Sequence, residues 1–171
     1  MMYILISQEN KDFEKYCNIC RDNVVIENLV SNGGTLQVPN AVFYSNVLII
    51  AHQDVLLPNQ IVGFIALNTR SESEIYINQI AVKNDHKKQG IGRGLVYELI
   101  NYADNRDITC HVRVYNVASQ ALFKSCNFEK VEKMSNDSNY FFVHRSKKMI
   151  NEGTYVKKLN STKILLKGGM D

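Results

Sequence analysis

Two kinds of apolar pattern alternate along the chain. Short apolar runs bounded by Asn, Gly, Pro or Ser predict strands, whereas segments in which apolar residues recur every three or four positions predict helices. The predicted strands are Met2–Ile6, Val47–His52, Ile61–Leu67, Ile75–Val82, Ile108–Tyr115, Phe128–Met134 and Tyr140–His144. The predicted helices run from a cap at Asn10 to Cys20, through Val25–Val30, and over Leu95–Ala103 and Ala118–Ser125. The predicted order is β-α-α-β-β-β-α-β-α-β-β, followed by a tail.

The middle of the chain predicts a mixed sheet. Val47–His52 and Ile61–Leu67 flank a turn and predict an antiparallel hairpin. Ile75–Val82, the helix after it and Ile108–Tyr115 form a strand–helix–strand crossover, which makes its two strands parallel. We therefore expect an α/β (α+β) fold with a mixed, mostly antiparallel central sheet that is flanked by helices and contains one parallel strand pair.

The composition is that of one globular domain. The 171 residues, 45% of them hydrophobic, are enough for a single core. We expect one domain at 1–148 and a basic extension at 149–171 that forms a strand or a hairpin and can pair with a second subunit in a homodimer. No apolar run approaches the roughly 20 residues that span a bilayer, and the first residues lack the basic start of a signal peptide. A cytoplasmic protein without a membrane partner is expected.

The cysteines and histidines do not form a metal motif. Cys17 and Cys20 make a C-x-x-C, but the second pair of a zinc ribbon is missing. Both lie on the apolar face of the first helix, which favours core packing over metal or redox use. His111 and His144 can lie on the substrate face of the sheet, although a packed structural role is favoured for each. We expect no metal.

The net charge of +3 is concentrated near the end of the chain. Residues 145–171 carry seven Lys or Arg against two acidic residues. Such a segment can attract an anionic partner, but a solvated face is the favoured interpretation. Nucleic-acid binding is not expected, because the overall charge is mild and basic residues do not interleave with aromatic ones.

A glycine-rich loop follows the strand Ile75–Val82 and opens the next helix. Phosphate oxygens can approach a glycine backbone closely, and the unpaired N–H groups at a helix N-terminus attract them. Positive side chains surround the glycines: His86, Lys87, Lys88 and Arg93. The Walker spacing G-x-x-x-x-G-K-[ST] and the Rossmann spacing G-x-G-x-x-G are both absent. The loop therefore predicts a phosphate site for a ligand outside the common nucleotide folds, and a turn without a ligand is the alternative.

The stretch from Ile80 to Leu95, IAVKNDHKKQGIGRGL, resembles the acetyl-CoA motif of the GNAT superfamily of N-acetyltransferases. That motif is a strand ending in apolar-x-Val, a short polar arm, then [QR]-x-x-G-x-[GA] and a helix. Counting from Val82 puts Lys87 at the Gln/Arg position, Gly90 at the first glycine and Gly92 at the second. A register two residues later also fits the letters but lengthens the arm, so the first register is preferred.

A second stretch, Asn116–Phe128, is similar to another motif of the same family, N-x-x-A-x-x-[LF]-Y-x-x-x-G-F. Two motifs in the expected order are more specific than either alone, and the resemblance covers roughly Ile61–His144. It implies acetyl-CoA as the acyl donor, a loop that wraps its diphosphate, and a splayed strand pair that admits the thioester. The donor-binding residues that it implies are Ile80, Ala81, Val82, Lys87, Lys88, Gln89, Gly90, Ile91, Gly92, Arg93, Gly94, Asn116 and Phe123.

The chain departs from the family at the catalytic positions. Phe123 occupies the position of the tyrosine that many members use as a general acid, so Tyr115 or Tyr140 is the substitute. Tyr76 occupies the position of a glutamate that some members use as a base, and Glu74 lies two residues earlier on the same strand face. The catalytic candidates are therefore Glu74, Tyr76 and Tyr115.

The resemblance implies an enzyme that transfers an acetyl group from acetyl-CoA to a primary amine of a small molecule or a protein by direct attack. The alternative is a catalytically weak or inactive acyl-CoA-binding module, since Tyr76 and Phe123 depart from the family pattern.

Overall fold

The computed structural model describes residues 1–31, 39–53 and 60–146, with the side chains of residues 30 and 31 left out. Its centre is a seven-stranded sheet in the order β1-β2-β3-β4-β5-β7-β6. The strands are β1 (Met2–Ser7), β2 (Val47–His52), β3 (Ile61–Thr69), β4 (Glu74–Val82), β5 (Asp107–Arg113), β6 (Glu129–Lys130) and β7 (Asn139–His144). The α-helices are α1 (Phe13–Cys20), α2 (Glu27–Ser31), α3 (Ile91–Ala103) and α4 (Val117–Ser125).

One parallel pair interrupts an otherwise antiparallel sheet, which confirms the predicted fold class. β4 and β5 pair only where Glu74–Tyr76 lie opposite Asp107–Thr109. Beyond Tyr76 the two strands have no paired residues, so they separate towards the end of β4. Among the residues that the structure describes, the edge of β4 that faces β5 is therefore without a strand partner from Ile77 onward.

A β-bulge lies in β4 near the point where the strands separate. Ala66 of β3 lies opposite Gln79, but the next residue of β3, Leu67, lies opposite Ile77. Asn78 is thus the extra residue, and the strand reverses its faces there. Before the bulge Ile77 belongs to the larger core, and after it Ile80 packs against that same core.

Each face of the sheet carries its own hydrophobic core. The larger core joins the sheet to α3 and α4. The smaller core joins the other face to α1 and to the π-helical segment Arg21–Ile26 that follows it. Cys17 and Cys20 are buried in this second core as free thiols, as predicted. Within the described residues, no group of three or more His, Cys, Asp or Glu is arranged to hold a metal ion.

Several predicted element ends needed correction. The first helix begins at Phe13 rather than after Asn10, because Asn10 accepts a hydrogen bond from the backbone of Asp12 and forms a turn ahead of the helix. The helical region then continues through the π-helical segment into α2 without the predicted break. The third correction concerns the strand predicted at Phe128–Met134, whose paired part is only Glu129–Lys130 at the sheet edge, before a 3₁₀ turn.

The predicted strand Ile108–Tyr115 also ends early, at Arg113. Asn116 donates its backbone N–H to the Arg113 carbonyl and turns the chain out of the sheet. Among the described residues, no helix is long and apolar enough to cross a bilayer. The predicted extension at 149–171 and its pairing in a homodimer lie outside the described residues.

Candidate active site

The glycine loop is built between the end of β4 and the start of α3. Lys83 donates its backbone N–H to Val62 at 2.8 Å, and a single 3₁₀ turn follows at Asn84–His86. Gly90 has a φ of 80° and is the cap of α3, which begins at Ile91. A side chain is strained in this left-handed conformation, so the turn into the helix favours glycine at this position.

The three glycines of the loop are there for different reasons. A Cβ atom added at Gly90 would meet nothing within 4 Å, so this backbone faces open space. At Gly92 the nearest atom would be a Leu122 methyl at 3.4 Å, an ordinary contact between α3 and α4. At Gly94 a Cβ would lie 1.8 Å from the Tyr3 hydroxyl, so that glycine makes room for β1. This difference favours the register that assigns Gly90 and Gly92 to the ligand.

A cavity of about 380 Å³, the donor cavity, opens beside the loop. It lies between the end of β4, the loop and the first turns of α3 and α4. Its lining includes nine of the predicted donor-binding residues: Ile80, Ala81, Val82, Lys87, Lys88, Gly90, Ile91, Gly92 and Asn116. Gln89, Arg93 and Gly94 belong to the same loop and helix start but do not line it. Phe123 lies further along α4 and lines the neighbouring cavity described below.

Asn28 of α2 holds the strand end that leads into the loop. Its side chain is 1% exposed. Its Nδ2 donates to the Val82 carbonyl at 2.8 Å, and its Oδ1 accepts from the Asn84 N–H at 3.0 Å. Lys83, between these two residues, forms an ion pair with Glu27 at 3.1 Å. Sequence reasoning missed Asn28, because its partners are more than fifty positions away along the chain.

A second cavity of about 430 Å³, the acceptor cavity, lies where β4 and β5 separate. It is lined by Ala41, Ile77, Asn78, Gln79, Ile80, Cys110, His111, Val112, Arg113, Tyr115, Asn116, Ser119 and Phe123. Ile80, Asn116 and Ser119 line both cavities, so the two are adjacent across the splayed strands. Asn116 also caps α4, since its side chain accepts from the Ser119 N–H at 3.1 Å.

Tyr76 and His111 are paired on the sheet face beside the acceptor cavity. The Tyr76 hydroxyl lies 3.2 Å from His111 Nδ1, and the Arg70 guanidinium lies 3.7 Å from the centre of the Tyr76 ring. Partial burial, together with the positive charge of Arg70, lowers the pKa of His111 below its ordinary value. Burial raises the pKa of Tyr76. At neutral pH the pair is therefore a neutral imidazole bonded to a neutral phenol.

The other predicted catalytic residues lie at different distances from the acceptor cavity. Glu74 accepts a hydrogen bond from Thr109 Oγ1 at 2.7 Å and lies 3.6 Å from Arg70. It lies three residues, roughly 10 Å, from Ile77, where the β4 lining of the acceptor cavity begins. Tyr115 lines the cavity, is 53% exposed, and its hydroxyl accepts from Arg113 at 2.5 Å.

Phe123 is buried at the base of the acceptor cavity. Its ring packs 5.1 Å from Phe128 and 6.3 Å from Phe142. In the family motif that Asn116–Phe128 resembles, this position carries a tyrosine; here it holds an apolar side chain of the core. Tyr140, the other tyrosine considered as an acid, packs against the larger core instead of lining the cavity.

Comparison with known proteins is consistent with this architecture. Residues 35–128 match the model of the acetyltransferase (GNAT) family. No curated protein matches significantly. The ribosomal-protein-S18-alanine N-acetyltransferase of Escherichia coli is 20% identical, with a TM-score of 0.56 over 91% of this chain and 100% of that one.

Two further solved structures share the fold. NAA60 of Arabidopsis thaliana, solved in complex with a bisubstrate analogue, is 18% identical, with a TM-score of 0.55 over 84% of this chain and 97% of that one. The PaiA N-acetyltransferase of Thermoplasma acidophilum, solved with coenzyme A, is 12% identical, with a TM-score of 0.57 over 85% of this chain and 99% of that one. At these identities the likeness concerns the fold.

Proposed function

This chain belongs to the GNAT family of acetyltransferases and is an acetyl-CoA-dependent N-acetyltransferase, and we propose that its acceptor is a primary amine that reaches the thioester from the acceptor cavity. The observation that carries this proposal is the adjacency of the two cavities. One is bounded by a phosphate-type loop, and the other contains a neutral imidazole. A donor held in the first can present its acyl group to an amine in the second.

The donor cavity fits the phosphate-bearing end of acetyl-CoA. The first turn of α3 offers unpaired backbone N–H groups, and the open space at Gly90 allows phosphate oxygens to approach them. Lys87 and Lys88 add positive charge, and the Lys87 ammonium is held by the side chain of Asn84. NAA60 of Arabidopsis thaliana, with a TM-score of 0.56, has been solved in complex with acetyl-CoA, which supports this choice of donor.

The part of β4 that separates from β5 offers a binding edge for the pantetheine arm of the donor. Within the described residues the edge of β4 beyond Tyr76 has no strand partner, so backbone groups on that edge near Ile80 are available to an amide-containing arm, while the Val82 carbonyl is held by Asn28. Pairing of such an arm with a strand edge resembles the addition of one more strand. The arm would then lead from the loop to the acceptor cavity, where the thioester meets the amine.

We propose that His111 accepts the proton of the acceptor amine. In the tautomer with its proton on Nδ1, the ring donates to the Tyr76 hydroxyl oxygen and leaves the lone pair of Nε2 for the amine. The lowered pKa of His111 keeps the ring neutral near pH 7, which a base requires. Tyr76 then acts as a positioning residue, and Glu74 is the alternative base, which would have to act through water because of its distance.

The leaving thiolate has one proton donor among the predicted residues that line the acceptor cavity, the Tyr115 hydroxyl. A thiol has a pKa of about 8.5, so the thiolate departs readily even without full protonation. Phe123 therefore does not prevent turnover, and Tyr115→Phe should lower the rate less than a change at His111.

The four free, buried cysteines support a reducing compartment, and we propose a cytosolic location.

The test is thiol release from acetyl-CoA with a panel of primary amines. His111→Gln should lower kcat by about 100-fold or more, because general bases contribute roughly 10²–10⁴. His144→Gln is the matched control, since His144 lies on β7 outside both cavities. A loss confined to Glu74→Gln would assign the base to Glu74. Tight acetyl-CoA binding by the wild type without thiol release from any amine would support the binding-module alternative.

A further inference from the structure

The acceptor cavity has an unusual balance of charge for an amine site. Among its described lining residues Arg113 is the one permanent cation, and none is an Asp or a Glu. A free ammonium entering the cavity would therefore meet no carboxylate there. Its attraction to the site must come from another part of the acceptor.

Arg113 has donors to spare. One of its nitrogens donates to the Tyr115 hydroxyl at 2.5 Å, and no described carboxylate forms an ion pair with it. A guanidinium carries five N–H donors in a flat fork, which matches a carboxylate or a phosphonate. Other arginines of the chain do have such partners: Arg21 pairs with Asp22, Arg70 with Glu74, and Arg145 with Asp107.

The surroundings of His111 are also positive. Arg70 lies over the ring of Tyr76, the hydrogen-bond partner of His111. The nearby carboxylate, Glu74, is engaged by Thr109 and Arg70. An acceptor that brings its own negative charge would be stabilised here, whereas one with a lone positive charge would not.

His111 and Arg113 lie two residues apart on one face of β5, about 7 Å along the strand. An amine at the imidazole therefore places any group two or three bonds away within reach of the guanidinium. We propose that the acceptor is a small amine with a carboxylate next to the reacting nitrogen, such as an α-amino acid, and that Arg113 binds this carboxylate. The inference rests on the proposed function and adds the substrate class.

The experiment compares matched acceptors and matched variants. Each α-amino acid is assayed by thiol release beside its carboxamide and beside the amine that lacks the carboxylate. We expect kcat/KM to be about 10- to 100-fold higher for the amino acid, as one charge-assisted bond would give. Arg113→Gln should remove this preference mainly through KM, and Arg113→Lys should restore part of it. Arg21→Gln is the control, because this half-buried arginine of the π-helical segment lines neither cavity.

Binding is measured in parallel by calorimetry, with α-amino acids titrated into the protein in the presence of coenzyme A. Amino-acid binding that is lost in Arg113→Gln supports the inference even where no amine gives thiol release, an outcome in which the proposed function itself fails. Three results overturn the inference: no amino-acid binding to the wild type, a wild type that prefers the decarboxylated amines or peptide N-termini, or an Arg113→Gln variant that weakens all acceptors equally.

Discussion

Asn28 gives the sharpest test of how the fold builds the donor cavity. This buried amide of α2 bonds the Val82 carbonyl and the Asn84 N–H, the two backbone groups on either side of Lys83. Its replacement by Ala removes both bonds and leaves a gap beside the donor cavity, which Asn28 also lines. The glycine loop then loses its anchor to the helical layer.

The cost follows from those two bonds. Each is worth about 1 kcal/mol net, and a backbone group left without a partner costs about 1–3 kcal/mol unless water reaches it. Because the strand end is partly exposed, water offsets some of this, and we expect a destabilisation of about 2–3 kcal/mol. For a chain of this size that lowers Tm by roughly 5–10 °C. The KM for acetyl-CoA should rise about tenfold, with kcat nearly unchanged at saturating donor.

The assay pairs thermal unfolding with steady-state kinetics. Asn28→Asp keeps the acceptor for Asn84 but turns a carboxylate towards the Val82 carbonyl, so it should be at least as damaging as Asn28→Ala. Asn18→Ala is the control: Asn18 lies on α1, and its side chain donates to the exposed Glu14 carbonyl, so its loss should change stability by less than about 0.5 kcal/mol. An Asn28→Ala protein with wild-type Tm and wild-type KM for acetyl-CoA would refute this account of the loop.

Three further predictions concern single positions. Gly90→Ala should destabilise the protein by about 1–2 kcal/mol in chemical unfolding, because its φ of 80° is left-handed, and should raise the KM for acetyl-CoA. Gly94→Ala should destabilise the protein by about 1–3 kcal/mol, because the added methyl group overlaps the Tyr3 hydroxyl. The double variant Gly94→Ala/Tyr3→Ala relieves this clash and should bind acetyl-CoA with wild-type affinity. A donor-binding defect that persists in the double variant would favour the later register. The pKa of His111 is lowered in the folded protein, so as the pH falls the unfolded chain binds this proton before the folded chain does. In urea titrations the wild type should therefore lose stability relative to His111→Gln below about pH 6.5. Equal pH profiles of the two proteins would contradict the shift.

The order of strands and helices and the glycine loop were predicted because their signals are local. A strand needs only its own apolar run, and a crossover between Ile75–Val82 and Ile108–Tyr115 follows from the helix between them. The start of α3 was predicted less well, because the apolar period begins at Leu95 whereas the helix begins at Ile91, directly after Gly90. The element ends were less predictable, since Tyr115 and Met134 leave the sheet for reasons of pairing rather than propensity.

The tertiary structure alone decided which side chains meet. Tyr76 and His111 lie 35 positions apart and touch because β4 and β5 are neighbours; Asn28 reaches Val82 across 54 positions. The bulge at Asn78 depends on the register of β4 with β3, which the local sequence of β4 does not specify. Sequence determines local conformation through short-range sterics and periodicity, whereas a site depends on how side chains from distant segments are placed relative to one another. That placement is fixed only when the sheet and its two cores have packed.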